Sequence, residues 1–161
     1  MELLTLSQML GRLFVALALG IVMGLEREVI HKDAGVKTSM LVAGGSCLFT
    51  LIALVLPFSF AGTSEGAAAI LRDSGALFNI IANVIVGIGF IGGGIIIKNR
   101  RHVQGLTTAA LVWSTAAIGI IAGLGLWELA TVSALVMALA IYLLRATGLS
   151  NHAVPEVLED E

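Results

Sequence analysis

Charge is what this sequence has least of. Only 12% of its 161 residues are Asp, Glu, Lys or Arg, against 58% hydrophobic residues and a mean hydropathy of +1.01. So little polar surface cannot clothe a water-soluble domain, and lipid must solvate most of the exterior. The basic side chains form no patch suited to a nucleic-acid backbone, so no nucleic-acid partner is expected. A single cysteine, Cys47, excludes an internal disulfide framework, and its apolar surroundings mark a small buried residue. Histidine is scarce too: His31, His102 and His152 lie outside the apolar stretches and lack metal-ligand spacing. No Ser-His-Asp, Cys-His or paired-carboxylate arrangement is present, so no enzyme activity, catalytic residue or cofactor is expected.

What is abundant is apolar sequence, arranged in five stretches: Leu4 to Leu25, Met40 to Leu56, Ala76 to Ile97, Leu106 to Gly123 and Leu126 to Leu144. A bilayer core of about 30 Å needs roughly 20 apolar residues per helix. The expected fold is therefore all-α, a compact integral-membrane bundle of about five transmembrane helices. Residues 1–148 make the bundle, and the acidic tail over residues 149–161 reads as disordered. The first stretch opens with Met1 and Glu2 and is interrupted by Arg12, which suits a retained span better than a signal peptide. Arg27, Lys32 and Lys37 follow the first span, Lys98, Arg100 and Arg101 the third, and Arg145 the last. This bias puts the N-terminus outside and the C-terminus in the cytoplasm. The loop from Pro57 to Ser74 then lies outside, with Ala67 to Leu71 as a short interfacial helix.

Nineteen glycines in such a protein call for a packing role. Gly20 and Gly24, Gly89 and Gly93, and Gly119 and Gly123 each stand four apart, so each pair lies on one helix face and allows close approach of a neighbour, within the bundle or in a homodimer. The run Gly87 to Gly94 lies in an apolar span with no preceding strand and no following Lys-Ser/Thr pair, which argues against a phosphate-binding loop. A locally thinned or broken helix bordering a polar cavity is the expectation there.

The polar residues within the spans are few. Arg12, well inside the first span, is expected to snorkel outward or pair with Asp73 or Glu128. Asn79, Asn83 and Gly87 form one stripe expected to face a neighbouring helix. Thr107, Thr108, Ser114 and Thr115, with Trp113 among them, bring hydroxyls and an indole to the basic half of the fourth span, the hydroxyls either for function or merely to bond their own helix. Carboxylates are absent from every span centre: Glu26 and Glu28 end the first, Asp73 precedes the third and Glu128 opens the fifth. Magnesium prefers carboxylate oxygens, so no dedicated intramembrane metal site is expected.

Three segments carry a family resemblance. Gly24-Leu25-Glu26-Arg27 with Ala34-Gly35-Val36-Lys37-Thr38, the run Gly87 to Gly94, and Val103-Gln104-Gly105-Leu106-Thr107-Thr108-Ala109-Ala110 with Trp113 together resemble the MgtC/SapB family of bacterial membrane proteins, in order and spacing, over about Arg12 to Gly125. The resemblance implies a bacterial cytoplasmic (inner) membrane location and a role in adaptation to low magnesium, with survival inside host cells in pathogens. It implies action through other membrane proteins, ATP synthase among them, or alternatively solute or Mg²⁺ transport, with a homo-oligomer compatible with either. The chain departs from the family's pattern at Leu77, Phe78 and Asn79, where members often carry Asp-Pro-Ser-Arg. It departs also at Thr107 and Ser114, where some have Asn and Cys, and it ends after the fifth span, where several relatives carry a soluble domain. The expected functional face is a polar cytoplasmic plate in which Glu26, Arg27, Lys37 and Thr38 clamp onto Lys98 to Arg101 over a floor of Thr107, Thr108 and Trp113.

Overall fold

A capping box opens the chain's first helix. Thr5 presents Oγ1 to the Gln8 N–H at 3.4 Å while Gln8 Oε1 accepts the Thr5 N–H at 3.0 Å, so two otherwise orphaned donors are satisfied reciprocally. The computed structural model describes residues 4–29, 34–61, 63, 65–66, 69–70, 75–98 and 103–147. It contains α1 (Leu6–Val29), α2 (Val36–Ala61), α3 (Ala76–Ile95), α4 (Leu106–Gly123) and α5 (Trp127–Ala146), all five long and apolar enough to cross a membrane.

Each start and stop has a local cause. Glu28 reaches across the first connection to accept the Val36 N–H at 3.0 Å, placing a carboxylate at the positive end of α2. Left-handed Gly75 (φ 58) and Gly105 (φ 86) precede α3 and α4. A Cβ at Gly105 would also strike the Ile95 carbonyl. Between α3 and α4 a two-residue antiparallel ladder, β1 (Ile97–Lys98) with β2 (Val103–Gln104), pairs Ile97 with Gln104 and Lys98 with Val103. The turn between α4 and α5 is a Schellman motif: the Gly125 N–H bonds the Ala122 carbonyl at 2.9 Å and the Leu126 N–H bonds the Ile121 carbonyl at 3.2 Å, with Gly125 at φ 84.

The bundle is built around α4. More than half of its span (56%) is buried inside the protein, against 44% for α2 and only 6% for α3. Helices α1, α2 and α4 pack mutually, α5 lies against α1 and α4, and α3 lies against α4 and α2. The core joins Ala16, Leu19 and Met23 to Cys47 and Leu51, to Leu111, Ile118 and Ala122, and to Ala130 and Ala134. None of these comes from α3. Small side chains dominate because these backbones nearly touch: a Cβ at Gly20 would sit 2.7 Å from the Ser39 carbonyl oxygen, one at Gly24 2.6 Å from Val36 Cα, and one at Gly123 2.8 Å from Thr50 Cβ. At Gly119 it would collide with the Ala43 backbone. Two of the three expected glycine pairs thus hold the bundle together.

Gly89 and Gly93 do not. A Cβ at either, or at Gly87 or Gly94, would meet nothing within 4 Å, so among the described residues the third pair packs against no helix. Only Gly92 of that run is buried, against Ala109. Nor is the glycine-rich helix broken: α3 is continuous from Ala76 to Ile95, because i→i−4 bonding needs no side chains and the flanking isoleucines supply contact. The helix α2 also runs past Pro57, which is buried, to Ala61, so the loop expected from Pro57 starts later. A proline near a helix end forfeits one backbone bond without stopping the last turn. Of the expected interfacial helix, Ala69 and Ile70 are helical and exposed, while Ala67, Ala68 and Leu71 lie outside the described residues. So do Lys32, Asp73, Arg100, Arg101, the three histidines and the acidic tail.

Candidate functional site

The ends of α1, α3 and α5 and the starts of α2 and α4 meet at one pole of the bundle, which carries Arg27, Lys37, Lys98 and Arg145. Its interior is a polar seam. Arg27, in the last turn of α1, is only 6% exposed, and its Nη2 donates to the Thr108 hydroxyl oxygen in the first turn of α4. The position favours a cation with respect to the carboxyl end of α1 and disfavours it with respect to the amino end of α4. The hydroxyl oxygen supplies the acceptor that the α4 backbone cannot offer there. Beside this contact the seam holds polar atoms without partners among the described residues: Arg27 Nε, Glu26 Oε2 and Ser39 Oγ are buried and unbonded there.

Glu26 uses its other oxygen. Its Oε1 lies 3.5 Å from Arg145 Nη1, tying the end of α1 to the end of α5. The expected clamp between the first connection and Lys98 to Arg101 is corrected at its Lys98 end alone, Arg100 and Arg101 lying outside the described residues. Among the described residues Lys98 forms no ion pair, Glu28 is committed to the α2 amino end, and the counter-charge for Glu26 comes from the last helix. The expected floor is corrected as well. Thr108 is buried, but Thr107 is exposed and Trp113 is 49% exposed. At about 100° per residue, Trp113 stands about 140° around the helix from Thr108, so the two cannot share a face. Ser114 donates to its own helix at the Ala110 carbonyl, 2.9 Å away, and Thr115 likewise to Leu111 at 2.8 Å. Lys37 and Thr38 instead border an apolar groove of about 480 Å³ between α2 and α3, with Gly45, Ser46, Gly87 and Ile88 along it.

At the opposite pole Arg12 meets no side-chain counter-charge among the described residues. Asp73 lies outside the described residues, and Glu128 forms no ion pair with it. Its Nη1 donates instead to the Gly123 carbonyl at 2.8 Å. That oxygen belongs to the last turn of α4, where the Schellman bonds leave it free and the helix dipole is negative. Gly125 lies directly against the guanidinium, since a Cβ there would be 2.8 Å from Arg12 Cζ. Gly125→Ala therefore combines a left-handed alanine with loss of that contact. It is expected to cost about 1–2 kcal/mol, read as a lowered thermal midpoint of the detergent-solubilised protein.

Asn79 and Asn83 are both exposed on the outward face of α3, together with Val86 and Phe90. They were expected to face a neighbouring helix; α3 instead turns Val84, Ile88 and Ile91 toward α2. Sequence reasoning missed Ser39, whose burial follows from its place opposite Gly20, and Arg145 as the partner of Glu26. Gly125 falls in the turn expected between the fourth and fifth stretches, since a glycine just past a helix end is a recognisable stop signal, but its contact with Arg12 was not expected.

Five membrane-length helices with a buried arginine seam at one pole define a multi-pass helical membrane protein. The family model described as "MgtC family" matches residues 13–148, and the chain belongs to that family. It is similar to Protein SrpB of Synechococcus elongatus, 40% identical over 126 residues (73% of this chain, 64% of the relative). It is similar also to Protein SapB of Bacillus subtilis, 33% identical over 131 residues (81% and 53%). With Protein MgtC of Salmonella typhimurium it shares 32% identity over 149 residues (92% and 58%). The chain spans about half the length of the curated relatives it matches, from 46% to 64%. No solved structure matches it.

Proposed function

We propose that this chain is a protein of the bacterial cytoplasmic membrane that serves adaptation to low magnesium, and in pathogens survival inside host cells, by contact with other membrane proteins, ATP synthase among them. Family membership supports the magnesium role. The observation that carries the contact mode is the outward face of α3, where Asn83 and the open glycines Gly89, Gly93 and Gly94 are presented to the surroundings. Hydrocarbon gives an amide no partner and gains little from a glycine, whereas a neighbouring protein helix supplies hydrogen bonds and close backbone contact. The basic pole would lie in the cytoplasm.

Photo-crosslinking in cells tests this. A probe at Gly89 or Gly93 is expected to capture other membrane proteins under magnesium limitation, and a probe at Leu139, exposed on α5, is not. Capture of nothing but a second copy of the chain would replace the proposal by homo-oligomerisation. Transport of a small solute or divalent cation is the second reading, favoured by the groove beside Lys37, Thr38 and Ser46. Flux through proteoliposomes that is abolished by Ser46→Val or Asn83→Leu would establish it over the contact reading.

A further inference from the structure

At the pole opposite the basic connections, α1, α4 and α5 enclose a cavity of about 390 Å³ lined by Ser7, Gln8, Gly11, Arg12, Val15, Ala122, Gly125 and Trp127. Its size is that of a small-ligand site, and its wall has the usual composition of an apolar floor with a few convergent polar groups. Val15 and Ala122 form the floor. Arg12 supplies a permanent cation of which, among the described residues, only Nη1 has an acceptor, the Gly123 carbonyl at 2.8 Å. Five N–H groups belong to a guanidinium, so donors remain on Nη2 and Nε. Gly11 and Gly125 keep the space open: nothing lies within 4 Å of a Cβ built at Gly11, and one at Gly125 would fall 2.8 Å from Arg12 Nη2.

The remaining polar groups are donors of the same sense. Gln8 Oε1 is occupied by the Thr5 N–H at 3.0 Å, which leaves its amide NH₂ to donate. Ser7 Oγ shares a hydrogen with Thr5 Oγ1 at 3.0 Å and retains capacity. The Trp127 indole can only donate. Among the described residues no carboxylate lies within ion-pair distance of Arg12. A partly enclosed cation, ringed by donors and with no counter-charge among the described residues, at the depth where α1 begins and α4 ends, is matched by an oxyanion at the membrane surface.

We infer that this cavity binds a phosphate group through Arg12, with Gln8, Ser7 and Trp127 as further donors. The phosphate belongs either to the headgroup of an anionic phospholipid or to free inorganic phosphate, and the experiment separates the two. The full chain is purified in neutral detergent. Inorganic phosphate binding is measured by equilibrium dialysis, and lipid retention by native mass spectrometry after transfer from vesicles of equal phosphatidylglycerol and phosphatidylcholine. Two variants accompany it: Arg12→Gln, which removes the cation, and Gly11→Leu, which fills the cavity while leaving Arg12 and its carbonyl partner in place. Folding of each is verified by the thermal midpoint.

Binding of inorganic phosphate that falls at least tenfold in both variants supports a free-phosphate site. Selective retention of phosphatidylglycerol that falls to the same degree in both supports a headgroup site. Absence of both forms of binding in the wild type, or binding that folded Gly11→Leu leaves unchanged, overturns the inference. Should Arg12→Gln fail to fold, Gly11→Leu decides alone.

Discussion

Gly119→Leu is expected to prevent accumulation of the folded protein. Gly119 sits at the centre of the contact between α2 and α4, the two most buried helices, and even a methyl group there would collide with the backbone of Ala43. A backbone cannot rotate aside as a flexible side chain can, so the helices must separate. Separation would open the contacts of Cys47, Leu111, Ile118 and Ala122, which belong to the same core. Overpacking a core costs about 1–3 kcal/mol even when side chains can yield, and this site is expected at the upper end or beyond. The stability margin of a whole domain is only about 5–15 kcal/mol. Fluorescence-detected size exclusion of a tagged protein should show the monodisperse peak lost in Gly119→Leu. It should be retained in Gly89→Leu, because a side chain at Gly89 enters open space. Equal behaviour of the two variants would mean that the helices are arranged differently. If Gly89→Leu folds but no longer crosslinks to other membrane proteins, the outward face of α3 is a contact surface rather than a structural one.

This contrast also shows how far the sequence could be read. The spacing of Gly20 with Gly24, Gly89 with Gly93 and Gly119 with Gly123 places each pair on one helix face, and in all three cases that is what periodicity can say. Which face turns inward depends on where the other helices lie. For α1 and α4 the glycine face is the packed one, and for α3 it is the open one. The five spans were legible because about 20 apolar residues in succession are required by the bilayer and by little else. The partner of Arg12 was not, since a search among side chains overlooks a main-chain carbonyl. Gly123 is available to Arg12 only because Gly125 and Leu126 bond to the two preceding carbonyls of the same turn. The floor expected at the basic pole differs for a related reason. Neighbours in sequence were assigned to one surface, whereas Thr107 and Thr108 lie about 100° apart on a helix, and only Thr108 meets Arg27.

That meeting leads to the other large expected effect. Thr108→Val keeps the shape of the side chain but removes the acceptor for Arg27 Nη2, and Arg27 Nε already lacks one. A buried guanidinium then loses the one side-chain hydrogen bond it makes among the described residues, and a hydrogen bond to a charged group is worth about 1.5–3 kcal/mol. Arg27→Met acts differently. It removes the charge together with its desolvation cost while the methionine stem fills much of the same volume, and Thr108 is free to bond its own helix as Thr115 does. Arg27→Met is therefore expected to cost less than Thr108→Val, and the double variant Arg27→Met with Thr108→Val to recover most of what Thr108→Val loses. Thermal midpoints of the four proteins in one detergent give this cycle. A double variant no more stable than Thr108→Val would show that the guanidinium does not depend on Thr108. Growth of a complemented deletion strain at low magnesium then separates structure from function. If Arg27→Met folds as well as the wild type but fails to restore growth, the buried cation is kept for its interactions with a partner or ligand and not for the fold; full restoration would reduce Arg27 to a packing residue.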